Sequence, residues 1–115
     1  MSKTPTKQLS NAYFTVMNTN RNLVQFAKFS LQYHETDTNE YELTLVHYGV
    51  LILIIRHNKN KMSWDISLGS CAYSATDRNN INGLLKLEGI HNVKATMIDG
   101  CLRLCHCDDY INITY

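Results

Sequence analysis

The chain has little of what many functional classes require. Proline occurs once, at Pro5, and there are five glycines in 115 residues, so the chain reads as mostly regular structure with short loops. Neither sign of charge is in excess: Lys and Arg number 11, Asp and Glu 10, for a formal net charge of +1. A domain that binds DNA or RNA by neutralising phosphates carries a clear basic surplus, so direct nucleic-acid binding is not expected. The longest unbroken apolar run, Gly49 to Ile55, falls far short of the ~20 residues needed to cross a bilayer. The opening segment MSKTPTKQLS lacks the apolar stretch of a secretory signal. A soluble cytoplasmic protein with reduced cysteines is the expectation. Also missing are a Gly-rich phosphate loop, an H-E-x-x-H pair and a G-x-S-x-G elbow, so no enzyme class is indicated.

What is present is enough apolar sequence, 44% of residues, to build one buried core. Residues 1–10 read as a flexible N-terminal tail and residues 11–115 as a single α+β domain. Charge is unevenly spread. Residues 1–28 carry Lys3, Lys7, Arg21 and Lys28 and no acid, whereas residues 29–45 carry Glu35, Asp37, Glu40 and Glu42 and no base. Such blocks either neutralise each other or face partners.

Alternation predicts most of the strands. Over Phe26–His34, Ala27, Phe29, Leu31 and Tyr33 alternate with polar neighbours, although Leu23, Phe26, Ala27 and Leu31 also fit a helical stripe. Residues 34–40 read as a polar loop. Tyr41, Leu43 and Leu45 then define a half-buried strand, His47-Tyr48-Gly49 a turn, and Val50–Ile55 a strand apolar on both faces, as expected mid-sheet where both sides are at least partly covered. HNKNK, 57–61, is a turn, and Trp64, Ile66 and Leu68 share one face of the next strand.

Within SATDRNNINGLL, Ser74 is the expected N-cap of a helix, with Asp77 three residues on in a variant capping box. Ile81, Leu84, Leu85 and Leu87 form its apolar stripe. Arg78, Asn79, Asn82 and Lys86 lie opposite, and Asn80 falls near the stripe's edge. Gly89 suits the left-handed residue that stops a helix, and Ile90 can fold back over the last turn. Asp99-Gly100 signals a two-residue type I′ hairpin whose paired residue numbers sum to 199, so that Val93, Ala95, Met97, Leu102 and Leu104 share the core face. The expected architecture is a mainly antiparallel sheet of about five to six strands with one helix packed on it, in the order β-β-β-β-α-β-β.

CLRLCHC, Cys101 to Cys107, resembles a metal site in composition but not in spacing. Cys101 and Cys105 stand about 13 Å apart along a strand, whereas two thiolates on one zinc lie within about 4 Å of each other. Free thiols are the reading, and neither a metal nor a cofactor is expected. Cys71 cannot be placed. The five histidines, His34, His47, His57, His91 and His106, fall mostly in turns or at strand ends. Ser70, Cys71 or Ser74 next to one of them would be needed for nucleophilic catalysis, and nothing in the sequence requires that meeting.

The segment YSATDRNNIN, Tyr73 to Asn82, resembles a pattern found in small phage-encoded proteins of Gram-positive bacteria, roughly Y-S-x-T-T-x-x-H-I-N after strands carrying a Y-G or Y-N turn. Tyr73, Ser74, Thr76, Ile81 and Asn82 match, whereas Asp77 and Asn80 stand where a Thr and a His would be. The likeness covers roughly residues 45–90. It implies a protein that binds and blocks a host defence effector in the manner of anti-CRISPR proteins, with a CRISPR–Cas nuclease as the kind of host partner. The candidate partner-facing residues are Glu35, Asp37, Glu40 and Glu42, facing a basic channel, and Arg78, Asn79, Asn82 and Lys86 on the helix. Two alternatives remain. One is a sponge for a signalling nucleotide, with a pocket at a homo-oligomer interface and Arg78 or Lys86 on the phosphate. The other is a nucleic-acid-binding module using the basic N-terminal segment and the Asn-rich helix.

Overall fold

A computed structural model describes residues 5–69, 75–106 and 113–114. The elements run α1 (Lys7–Asn18), β1 (Leu23–Phe26), β2 (Phe29–Asp37), β3 (Glu40–His47), β4 (Val50–Asn58), β5 (Ser63–Leu68), α2 (Ala75–Leu87), β6 (Val93–Ile98), β7 (Cys101–His106) and β8 (Ile113–Thr114). Strands β1 to β5 pair in chain order as an antiparallel meander, and β8 adds in parallel to β5 at Trp64 and Asp65. Strands β6 and β7 form a separate two-stranded sheet. No helix among the described residues is long and apolar enough to cross a membrane.

The α+β class and the antiparallel sheet agree with expectation, but there are two helices, not one. The first takes in residues 7–10, which the sequence pattern assigns to a tail. Thr6 caps α1, its hydroxyl accepting from the Leu9 N–H at 3.2 Å, and Leu9, Ala12 and Val16 are buried. Those three recur at i, i+3 and i+7, a narrow stripe, and the intervening Ser10, Asn11 and Thr15 mask it in sequence. Helix α1 packs against α2, β1 and β2.

The strand expected over Phe26–His34 begins correctly in type but is split by a turn. Ala27 and Lys28 both take left-handed backbone, φ 45° and 70°, joining β1 to β2. Strand β2 then continues to Asp37, through most of the segment expected to be loop. Strand β4 likewise runs on to Asn58 before its turn.

One face of the sheet carries Leu31, Leu43, Leu45, Leu53, Ile55 and Ile66, all fully buried beneath Leu9, Val16, Ile81, Leu84 and Leu85 of the two helices. The doubly apolar run in β4 has a specific cause. The register passes from Leu45↔Leu53 to Val46↔Leu51, so Ile52 is the extra residue of a bulge and both Ile52 and Leu53 are buried. Cover on both faces is therefore not what the run encodes. The approach of Gly69 to the same bulge is close: its N–H donates to the Ile52 carbonyl at 2.9 Å, and a Cβ there would lie 1.9 Å from the Leu51 oxygen.

The C-terminal hairpin follows the expected register at every position, from Val93↔His106 to Ile98↔Cys101, around Asp99 and Gly100 at φ 52° and 77°. Val93, Ala95 and Leu102 are buried, whereas Met97 is exposed. Helix α2 stops as expected. The Ile90 N–H reaches the Leu85 carbonyl at 2.9 Å and the Gly89 N–H reaches that of Lys86 at 3.0 Å, a Schellman closure with Ile90 buried behind it.

Candidate functional site

The chemistry-bearing side chains fall into three groups: two polar clusters beneath the helices and one acidic rim on the sheet. The first cluster centres on Glu88, just past the last turn of α2 and buried. Its Oε2 accepts from the Tyr13 hydroxyl at 2.8 Å, and its Oε1 accepts from the Tyr41 hydroxyl and, at 3.4 Å, from the Trp64 indole N–H. A carboxylate at a helix C-terminus opposes the helix dipole, and three converging donors offset that cost. Burial and the adjacent carboxylate push both the Tyr13 and the Tyr41 phenol well above the usual tyrosine range, so they persist as neutral donors.

Tyr41, His57 and Trp64 form one rung across β3, β4 and β5. The His57 ring stacks on Trp64 at 4.4 Å and meets Tyr41 edge-on at 5.4 Å. His57 Nδ1 lies 3.1 Å from the Ser63 carbonyl, which can only accept, so that nitrogen carries the proton. The cluster thus ties α1, β3, β5 and α2 together, and its carboxylate is sealed from solvent.

The second cluster joins His47 at the end of β3 to Asp77 in the first turn of α2, Nδ1 to Oδ1 at 2.5 Å. The imidazole lies flat on Phe29, ring centres 3.9 Å apart, and Phe26 stacks on Phe29 in turn at 5.5 Å. Asp77, read from the sequence as the capping partner of Ser74, reaches another element through its bond to His47; the capping pair itself lies outside the described residues. Ser74 itself, together with Ser70, Cys71, Tyr73 and Cys107, lies outside the described residues. Cys101 and Cys105 are half-buried free thiols. No group of three or more His, Cys, Asp or Glu among the described residues is placed to hold a metal ion.

The acidic rim lies at the β2–β3 turn. Glu35 and Asp37 are exposed; Glu35 accepts from the Tyr33 hydroxyl at 3.3 Å, and Asp37 from the Thr38 N–H at 2.6 Å. Glu40 accepts from Thr36 at 3.0 Å and from Asn58 at 3.4 Å. Glu42 pairs with Arg56 at 2.7 Å on the sheet face that neither helix covers, in a rung that runs His34, Glu42, Arg56, Asp65. The Glu42 bond and charge, reinforced by Asp65 and Glu40, raise the Arg56 guanidinium further above its already high range. The four acids expected to act together are therefore brought to one end of the sheet.

The helix residues divide differently. Lys86 is exposed, and Arg78 and Asn79 are half-buried. Asn82 is not a free surface amide, which corrects its placement on the solvated side. Its Nδ2 donates to the Ala95 carbonyl at 3.0 Å and its Oδ1 accepts from the Ala95 N–H at 2.6 Å, docking β6 on α2. Asn80 is buried and turns back on its own helix, donating to the Thr76 carbonyl at 2.9 Å. Sequence reasoning missed Glu88. Its one signal is position: it continues the stripe of Ile81, Leu84 and Leu85 with a charge. The His47–Asp77 pair, 30 residues apart in sequence, carries no local signal.

Fold and clusters together define an α+β protein in which two helices cover one face of an antiparallel sheet and the other face is left bare among the described residues. No protein-family model matches the chain, and neither does any curated protein or solved structure.

Proposed function

We propose that this is a protein-binding module of phage or mobile-element origin that occludes a cationic surface on a host defence effector, a CRISPR–Cas nuclease being the kind of partner meant. The observation that carries the reading is the acidic rim. Glu35, Asp37, Glu40 and Glu42 lie at one end of the sheet, Glu42 on the bare face and Glu35 on the same face as Tyr41, and among the described residues only Glu42 forms a salt bridge with a lysine or arginine. Four acids on a rigid strand framework, flanked by Arg56 and by Lys59 of the adjoining β4–β5 turn, favour oriented docking to a basic channel. The buried polar clusters favour the same reading, because the Glu88 carboxylate and the His47–Asp77 pair are engaged in tying the helices to the sheet.

The test is affinity capture from a Gram-positive host lysate with the wild-type chain and a Glu35→Lys, Asp37→Lys variant. Both residues are exposed, so the fold tolerates the change. A specific partner held by wild type and released at least about tenfold more readily by the variant supports the proposal. No specific partner at about 1 µM bait, or one held equally by both, overturns it.

A further inference from the structure

We infer that the cavity between the β1–β2 and β3–β4 turns is a binding site for a small phosphate monoester, with Lys28 on its charged head. The cavity, about 470 Å³, lies at the end of the sheet opposite the acidic rim and is lined by Gln25, Phe26, Lys28, Ser30, Val46 and Gly49 among others. The space is half-open to solvent, so it receives the charged head of a small ester and leaves much of its body in water.

Three observations converge. Gln25, Lys28 and Ser30 line this space, Gln25 and Ser30 as a cross-strand pair on one sheet face, and none of the three side chains makes a hydrogen bond or ion pair among the described residues. Together they offer an ammonium, an amide N–H and a hydroxyl, the donor set that three phosphate oxygens accept. A phosphate monoester carries about −1.5 to −2 charges at neutral pH, and no acid occurs in the first 34 residues to compete for Lys28.

The backbone supplies the third observation. A two-residue type I′ turn needs left-handed backbone at both central positions, and Asn-Gly or Asp-Gly is the usual solution. Asp99-Gly100 uses it, and Tyr48-Gly49 uses half of it. Ala27 and Lys28 use neither, so two ordinary residues sit at φ 45° and 70°, a conformation that costs stability. The turn is held there by the Tyr48 N–H donating to the Lys28 carbonyl at 3.0 Å. Left-handed backbone at a non-glycine also occurs at Met62, φ 51°, so the strain belongs to the turn, and it is the lysine in place of the usual glycine that a ligand contact explains. Val46, paired with Ser30 on the same sheet face, gives the body of the ester an apolar contact.

The experiment is a titration of ¹⁵N-labelled full chain with inorganic phosphate, a nucleoside 5′-monophosphate and a hexose phosphate, following the amides of Ser30, Val46 and Gly49. Saturable shifts centred on these amides, with an organic ester binding at about 0.1 mM and inorganic phosphate more weakly, are expected. Lys28→Gly relieves the turn, so it should raise Tm and still weaken binding at least tenfold. Ser30→Ala should weaken binding with little change in Tm. Three results overturn the inference: no localised shift by about 10 mM ligand, shifts centred on Arg78 and Lys86 instead, or full affinity in Lys28→Gly.

Discussion

Asp77 and Glu88, at the two ends of α2, both reach side chains of one strand: Asp77 binds His47 and Glu88 binds Tyr41, at opposite ends of β3. The geometry explains why this works. From 77 to 88 is 11 residues, about three helical turns and about 16 Å, so both carboxylates face the sheet. From 41 to 47 is six residues, an even number spanning about 20 Å, so both partners lie on the same strand face. The helix is thereby pinned along its length, and its rotation on the apolar core is fixed by charge-assisted bonds.

Glu88→Gln keeps the volume and removes the charge. Two phenols and an indole then compete for a single neutral oxygen, and the loss should be about 2 kcal/mol by urea denaturation. In a cycle with Tyr41→Phe the two losses should fall short of additive, since each change disables the same bond.

The phenols give the fold an alkaline limit. Tyr13, Tyr33 and Tyr41 all have folded-state values raised above the ordinary 10.0, chiefly by burial and then by neighbouring carboxylates. A raised value means that the native state holds its proton more tightly. The stabilisation is therefore complete below pH about 10 and is lost progressively as pH climbs beyond it. Thermal melts between pH about 8 and 11 should show a falling Tm, and Tyr41→Phe, though less stable at neutral pH, should show a shallower fall.

Gly69→Ala should be severe for a surface-proximal substitution. A Cβ 1.9 Å from the Leu51 carbonyl oxygen meets backbone, not a side chain that can swing away. The β4 bulge or the end of β5 has to move, at a cost of about 3 kcal/mol measured by denaturant midpoint.

Leu9→Ala tests whether the N-terminal segment belongs to the core. A tail would tolerate it, but Leu9 is fully buried and its truncation should cost about 2–5 kcal/mol.

Asn82→Ala separates structure from recognition. If the amide serves the fold, its loss strands the Ala95 N–H and carbonyl and costs about 1–3 kcal/mol, with exchange at Ala95 accelerated. Unchanged stability with weakened partner capture would return Asn82 to the binding surface.

Local rules carried much of this fold. The Asp99-Gly100 turn set the whole β6–β7 register because a type I′ turn admits one pairing, and Gly89 with Ile90 marked the end of α2. Helix α1 was illegible because only Leu9, Ala12 and Val16 face inward and the neighbouring Phe26–Tyr33 alternation offered a clearer strand. The Ala27-Lys28 turn was hidden because neither residue favours left-handed backbone. The grouping of Glu35, Asp37, Glu40 and Glu42 was visible as a run of acids. The cage around Glu88 was not, since its donors come from positions 13, 41 and 64 and meet only when the tertiary fold closes.

Trp64, whose indole donates into that cage, is the single tryptophan of the chain. Its emission therefore watches one corner of the molecule, the one assembled from the most distant stretches of chain. The β6–β7 ribbon, which hangs on the body largely through α2 and the Asn82 amide, has no such reporter. Opening of that ribbon alone would leave the fluorescence signal silent and would need amide exchange or a placed label to be seen.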